Sequence, residues 1–308
     1  MSNNAEDKLL KIPVLGALIR ISKRIKLPGF EGLSLYELLQ SYIFGLGKGA
    51  FSFRASAIAF SFFMALFPFI LFVLNLIPFI KINNFQTEFL AFINEFLPPQ
   101  TAEVFIPVMT DIAQNPRGNL LSFTLILAIF LMSNGVNSIF SSFNNSYYIT
   151  QRRGFIRQYL IAVVISVFLV ILLFVTVIAL LVGQYFIVIL HENSETLRHI
   201  NLIVMLRFFL LALVIYLTIS VFYYFGTKES KSYRFFSVGS AITTFLFILT
   251  TYLFGIYIDN FSNYNELYGS IGAILIMMSY IWINSNLLLL GFELNVTLNT
   301  LRKQNKSQ

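Results

Sequence analysis

Six long stretches of the chain carry almost no charge, and this limits the possible folds more than any other feature. A helix needs about 20 mostly apolar residues to cross a bilayer. Residues 57–80, 119–144, 159–190 and 235–258 contain no Asp, Glu, Lys or Arg. Residues 200–225 contain one, Arg207, and residues 270–298 contain one, Glu293. The third stretch is 32 residues long, which as a helix rising about 1.5 Å per residue exceeds a hydrocarbon core of about 30 Å. It is expected to tilt or project. Across all 308 residues only 11% are charged, against about 25% in an ordinary soluble domain. The fold class expected is therefore all-α: a polytopic membrane protein with six transmembrane helices.

The cations give an orientation. Of 21 Lys and Arg, all but Lys81, Arg117, Arg198 and Arg207 fall before the first stretch, after the second and fourth, or in the tail. By the positive-inside rule those parts face the cytoplasm, so both termini are expected there. An even number of spans agrees. Three parts follow: a basic N-terminal segment (1–56), a six-helix domain (57–298) and a short cytoplasmic tail (299–308). In the first part Leu9, Leu10, Ile12, Leu15 and Leu18 are interspersed with cations, as in a helix lying on an anionic leaflet. No apolar core ending in a small-residue cleavage site marks a secretory signal there. Ser34 and Glu37 fit a capping box. The long loop 81–118 places Phe85, Phe89, Ile93 and Phe96, then Val104, Phe105, Val108 and Ile112, at helical spacings. Two amphipathic helices are expected there, either a lid or a surface cap.

Ionisable groups within spans are costly and mark functional candidates. Arg54 at the entrance of span one and Glu293 near the end of span six lie at similar depth, so they are expected to pair and to latch that end. Arg207 lies near the opposite boundary. It has three readings: an ion pair with Asp259 or Glu266, contact with an anionic substrate, or snorkelling to the interface. Polar patches occur mid-span at Ser133, Asn134 and Asn137 and at Asn284, Ser285 and Asn286. They either bond helix to helix or line a polar path with Arg207. Pro68 is expected to kink span one.

Enzymatic motifs are absent. The chain has no Cys and two His, His191 and His199, and shows no Walker loop, nucleophile elbow or HExxH. No enzyme activity, metal or cofactor is expected. The partners expected are membrane lipids and an anionic amphipathic substrate, not nucleic acid, with self-association left open.

Several motifs resemble the YihY/virulence factor BrkB family. They are Arg54-Ala-Ser-Ala-Ile-Ala-Phe60 with Pro68; Asn134-Gly135-Val-Asn137 with Asn145, Tyr147 and Arg152-Arg153; Tyr268-Gly269-Ser-Ile-Gly272-Ala273; and Leu290-Gly291-Phe-Glu293-Leu-Asn295. The resemblance covers roughly residues 35–300. It implies a six-helix inner-membrane protein, with Arg54, Tyr268, Gly269, Gly272, Gly291, Glu293 and Asn295 at motif positions. The family has carried the label ribonuclease BN, and some members are discussed as exporters of lipids or other envelope components. The resemblance and the polar residues together give the expected role: a transporter or flippase-like exporter. A non-transporting scaffold is the alternative, and a membrane-bound ribonuclease the third reading.

Overall fold

The computed structural model describes residues 51–76, 118–193, 202–232, 234–260 and 270–306. It also describes Ser34, Tyr36, Gln40, Tyr42, Ile106, Pro107, Thr110 and Asp111. Six helices are long and apolar enough to cross a membrane. They are α1 (Phe51–Leu76), α2 (Gly118–Asn144), α3 (Phe155–Asn193), α4 (Leu202–Phe225), α5 (Val238–Asn260) and α6 (Ser270–Lys306). Among the described residues there is no β-strand.

The helix bounds differ from the apolar stretches for local reasons. α1 starts at Phe51, ahead of Arg54, and runs through Pro68. α5 starts at Val238 because Ser237 and Ser240 cap it reciprocally: each hydroxyl accepts the other's backbone N–H, at 3.1 and 3.2 Å. α6 continues to Lys306, past the end of its apolar stretch. Several hydroxyls within the spans are satisfied inside their own helices. Ser61, Ser133, Ser166, Thr176, Thr244 and Ser285 each donate to the carbonyl four residues back.

Each helix packs against its neighbours in the chain, and α6 packs back onto α1. The six therefore form a closed ring. α2 and α6 also meet across the ring. Large side chains fill its centre at one end. This end holds the start of α1, the end of α2, the start of α3, the end of α4, the start of α5 and the last turns of α6. It carries most of the cations and is called here the basic end. Its core includes Ile58, Ile139, Phe140, Phe143, Ile219, Phe222, Tyr223, Leu289, Phe292 and Val296.

Toward the far end the packing changes. No described side chain of α3 is buried from Val167 on, nor any of α4 before Ile219. In α5 none is buried between Phe245 and Tyr257. Among the described residues the α1–α2 hairpin keeps buried residues along its length, with Ala65, Phe72, Thr124 and Ala128 in its far half; elsewhere in that half Ile258 of α5 and Gly272 of α6 are buried, and Gly183 of α3 lies against Leu206 of α4.

Most of the N-terminal segment, most of loop 81–118, and His199, Glu266, Tyr268 and Gly269 lie outside the described residues, as do the side chains of Asn75, His191 and Asp259. Tyr36, Gln40 and Tyr42 are helical, as are Ile106, Pro107, Thr110 and Asp111.

Candidate functional site

The basic end is built around three aromatic rings from alternate helices of the ring: Phe143 (α2), Tyr223 (α4) and Phe292 (α6). Phe143 and Phe292 stack with centroids 3.8 Å apart, and Tyr223 meets each edge-on at 5.8 Å. The Tyr223 hydroxyl donates to the Leu288 carbonyl at 2.7 Å and is 2.8 Å from Thr243 Oγ1. One phenol thereby ties α4, α5 and α6 together across the plug.

Beside the plug lies a buried ion pair. Arg54 Nη1 is 2.8 Å from Glu293 Oε1, with side chains only 6% and 1% exposed. Ser146, just past α2, donates its hydroxyl to the other carboxylate oxygen at 2.6 Å. Glu293 thus links α1, the α2–α3 connection and α6. Two buried charges cost several kcal/mol each to desolvate, and only close geometry with further hydrogen bonds offsets this. The second carboxylate oxygen has such a bond. Tyr42 caps the site, donating to the Leu290 carbonyl at 3.0 Å. Burial and then the Glu293 charge push its phenol above the ordinary tyrosine range.

Every marked residue of Leu290-Gly291-Phe-Glu293-Leu-Asn295 has a contact here. Gly291 sits where α5 and α6 come close: a Cβ would overlap the Thr243 hydroxyl and lie 2.5 Å from Tyr223 OH. Gly239 is its counterpart on α5, where a Cβ would strike the Gly291 carbonyl. Asn295 accepts the Gly239 N–H at 2.8 Å and donates to Ser237 Oγ at 2.7 Å, completing the cap of α5 from the neighbouring helix. Gly226, just past α4, leaves room for the Phe143 ring.

A second polar set joins α2 to α3. The Gln158 amide accepts from Asn144 at 2.6 Å and donates to Asn137 Oδ1 at 2.7 Å and Ser141 Oγ at 2.9 Å. The structure therefore places Asn137 in an interhelical bond. Asn134 is half-buried. Asn284 and Asn286 donate to their own helix, to the Tyr280 and Trp282 carbonyls at 2.9 and 2.7 Å. Asn284 Oδ1 and Ser220 Oγ are buried without a hydrogen-bond partner. Arg207 is exposed, in the far half of α4 beside exposed Phe208 and Phe209. The two asparagine patches are not joined to each other by any described contact. Gly272 is buried near the start of α6.

The connections at this end clasp each other. Arg153 donates to the Phe225 carbonyl and, at 2.5 Å, to the Thr227 carbonyl, capping the C-terminus of α4. In return Glu229 accepts from the Thr150 and Gln151 amides at 3.0 and 2.7 Å and from the Thr150 hydroxyl at 2.9 Å. Partial burial raises the Glu229 pKa, but these bonds, with Lys303 nearby, outweigh it and hold the carboxyl below its ordinary range. Among the described residues no three His, Asp or Glu come together to hold a metal ion.

Phe143, Tyr223, Ser146, Gln158, Glu229 and Gly239 gave no separate signal in the sequence, while Phe292 and Arg153 stand inside motifs that do not reveal these contacts. The rings are lost among 35 Phe and 15 Tyr, and Arg153 reads as one more topological cation.

Comparison with known proteins fixes the family. The chain is 29% identical over 273 residues to a ribonuclease-like protein, YfkH, of Bacillus subtilis (strain 168), covering 87% of this chain and 96% of that one. It is 33% identical over 76 residues to a UPF0761 membrane protein of Psychrobacter sp. (strain PRwf-1), covering 25% and 14%. A UPF0761 membrane protein of Psychromonas ingrahamii is 32% identical over 89 residues, covering 29% and 30%. No solved structure matches. The family model of the virulence factor BrkB matches residues 45–308, a span that includes all six helices and the whole basic-end core, and the chain is a multi-pass membrane protein of that family.

Proposed function

We propose that the protein is a transporter of the flippase type, moving an anionic amphipathic molecule, with a phospholipid as the simplest candidate, and that it is not an enzyme. In this reading it sits in the bacterial cytoplasmic membrane with the basic end toward the cytoplasm, following the distribution of cations. The observation that carries the reading is the ring: its centre is filled by the Phe143–Tyr223–Phe292 plug at one end, while α3, α4 and α5 lose their buried side chains toward the other. In this reading the less packed end is the vestibule and the plug its floor. The Arg54–Glu293 pair is then the latch of that floor, and opening it means separating two buried charges. Buried Asn284 Oδ1 and Ser220 Oγ offer polar contacts along the way, and Arg207 meets headgroup anions at the far boundary.

The test is translocation of a headgroup-labelled phospholipid in proteoliposomes, read with an external quencher. Wild type should move lipid, and Glu293→Ala and Arg207→Ala should slow it without loss of helix content. A wild type that matches empty liposomes overturns the lipid reading and favours a scaffold role, for which a stable partner on pull-down is the next measurement. The name of the B. subtilis relative supplies the other reading, RNA cleavage. Purified protein incubated with RNA and Mg²⁺ should leave the RNA intact; cleavage abolished by a substitution in this chain would reverse the assignment.

A further inference from the structure

The start of α3 combines an uncompensated cluster of guanidinium groups with the head of a continuous apolar ridge. Arg152 and Arg157 are exposed and form no ion pair or hydrogen bond among the described residues. Arg153, between them, is committed to the α4 carbonyls. Its pKa is lowered by burial and then by the charge of Arg157, so the groups are close enough to repel. Glu229, the acid of the neighbouring turn, is engaged by Thr150 and Gln151.

Directly beside this cluster the helix surface turns apolar. Phe155 and Ile156 are each 75% exposed. From Ile156 the exposed side chains step along one side of α3 at intervals of three or four: Leu160, Val164, Phe168, Ile171 and Val175. The stretch is held from two directions. Arg153 is fixed to α4, and buried Gln158 is fixed to α2, which turns the ridge outward. The backbone that carries Arg152 and Arg157 is thus fixed before binding, which lowers the ordering cost of meeting an anion.

We propose that Arg152 and Arg157 form a binding site for the phosphate of an anionic phospholipid in the leaflet at the basic end, with one acyl chain lying along the Ile156–Val175 ridge. A free phosphate or an acidic peptide would use the arginines and leave the ridge idle. The ridge beginning within the cation cluster is what selects a lipid. The site does not depend on transport.

The test is lipid retention by the purified full-length protein, comparing phosphatidylglycerol with phosphatidylcholine by native mass spectrometry from mixed nanodiscs. Wild type should retain phosphatidylglycerol preferentially. Two arginines at a membrane surface correspond to a preference of about 25-fold, and R152Q/R157Q should lose most of it. The lysine pair R152K/R157K should keep a preference, and Lys228→Gln, an exposed cation elsewhere at the same end, should leave it unchanged. Glycerol 3-phosphate at equal concentration should not displace the lipid. Any of three results overturns the proposal: no preference in wild type, full preference in R152Q/R157Q, or displacement by glycerol 3-phosphate. Selective retention by a wild type that fails to move lipid would leave this site standing while removing the transport reading.

Discussion

At the basic end all six helices contribute to one packed region, whereas toward the far end the described contacts are pairwise: α1 with α2, Gly183 of α3 with Leu206 of α4, and α5 with Tyr280 of α6. The helices are similar in composition over their whole length, so apolarity does not set the two halves apart. Complementary shape and polar pairing do. In a bilayer the lipid tails are as apolar as leucine, and helices associate through close packing and interhelical hydrogen bonds. The basic end has both: glycines where α5 meets α6, stacked rings, and the Arg54, Gln158, Tyr223 and Asn295 bonds. In the far half the described hydroxyls bond mainly back to their own helices, with Thr251 and Tyr280, 2.7 Å apart, an exception between α5 and α6.

The sharpest way to break this contrast is to remove one member of the buried pair. Glu293→Ala leaves the Arg54 charge enclosed and should cost about 3–5 kcal/mol, read as a large fall in thermal unfolding temperature in detergent. The apolar double variant Arg54→Met/Glu293→Leu should recover most of that stability. If the pair is a latch, the double variant will still be defective in transport.

Next is the plug. Phe292→Ala removes a fully buried ring and should cost about 3–5 kcal/mol, while Phe208→Ala, exposed in the far half, should change stability by under about 0.5 kcal/mol. Equal effects would mean that the far half is packed too.

A smaller contrast compares two glycines. Gly291→Ala forces the α5–α6 contact apart and should cost about 1–3 kcal/mol. Gly255→Ala, with nothing within 4 Å of the added Cβ, should be neutral or stabilising by up to about 1 kcal/mol.

The smallest effect concerns pH. The folded pKa of Glu229 lies below its ordinary 4.5, so its contribution is complete above that value and is lost as pH falls through the lower, folded one. The group is only partly buried, so solvent screening keeps the contribution under about 1 kcal/mol. Glu229→Gln should lower stability by under about 1 kcal/mol above about pH 5, and its difference from wild type should shrink as pH falls further; a difference unchanged at low pH would point to lost hydrogen-bond geometry instead.

Some of the site was legible because depth can be counted along a helix. Arg54 and Glu293 lie near the same end of antiparallel spans, and counting places them together without any structure. Asn137 shows the limit of this method. Its depth matches that of Asn284, yet its amide oxygen bonds to Gln158 on α3. Depth gives the level at which a side chain sits but not the direction in which it points, and direction depends on how each helix is rotated about its axis. Arg207 shows the same limit, since its exposed position on α4 follows from that rotation.

The sequence by itself determined that this is a six-helix membrane chain with its cations gathered at one end. Those properties depend on local sums, of apolar residues against bilayer thickness and of Lys and Arg per loop. Only the tertiary structure decided that the helices close into a ring, that three of fifty Phe and Tyr side chains plug it, and that the Gly291–Asn295 motif holds α5, α6 and the ion pair in register. Those properties depend on which faces meet. When nearly every face is apolar, the hydrophobic pattern no longer says which one points inward, and packing alone selects it.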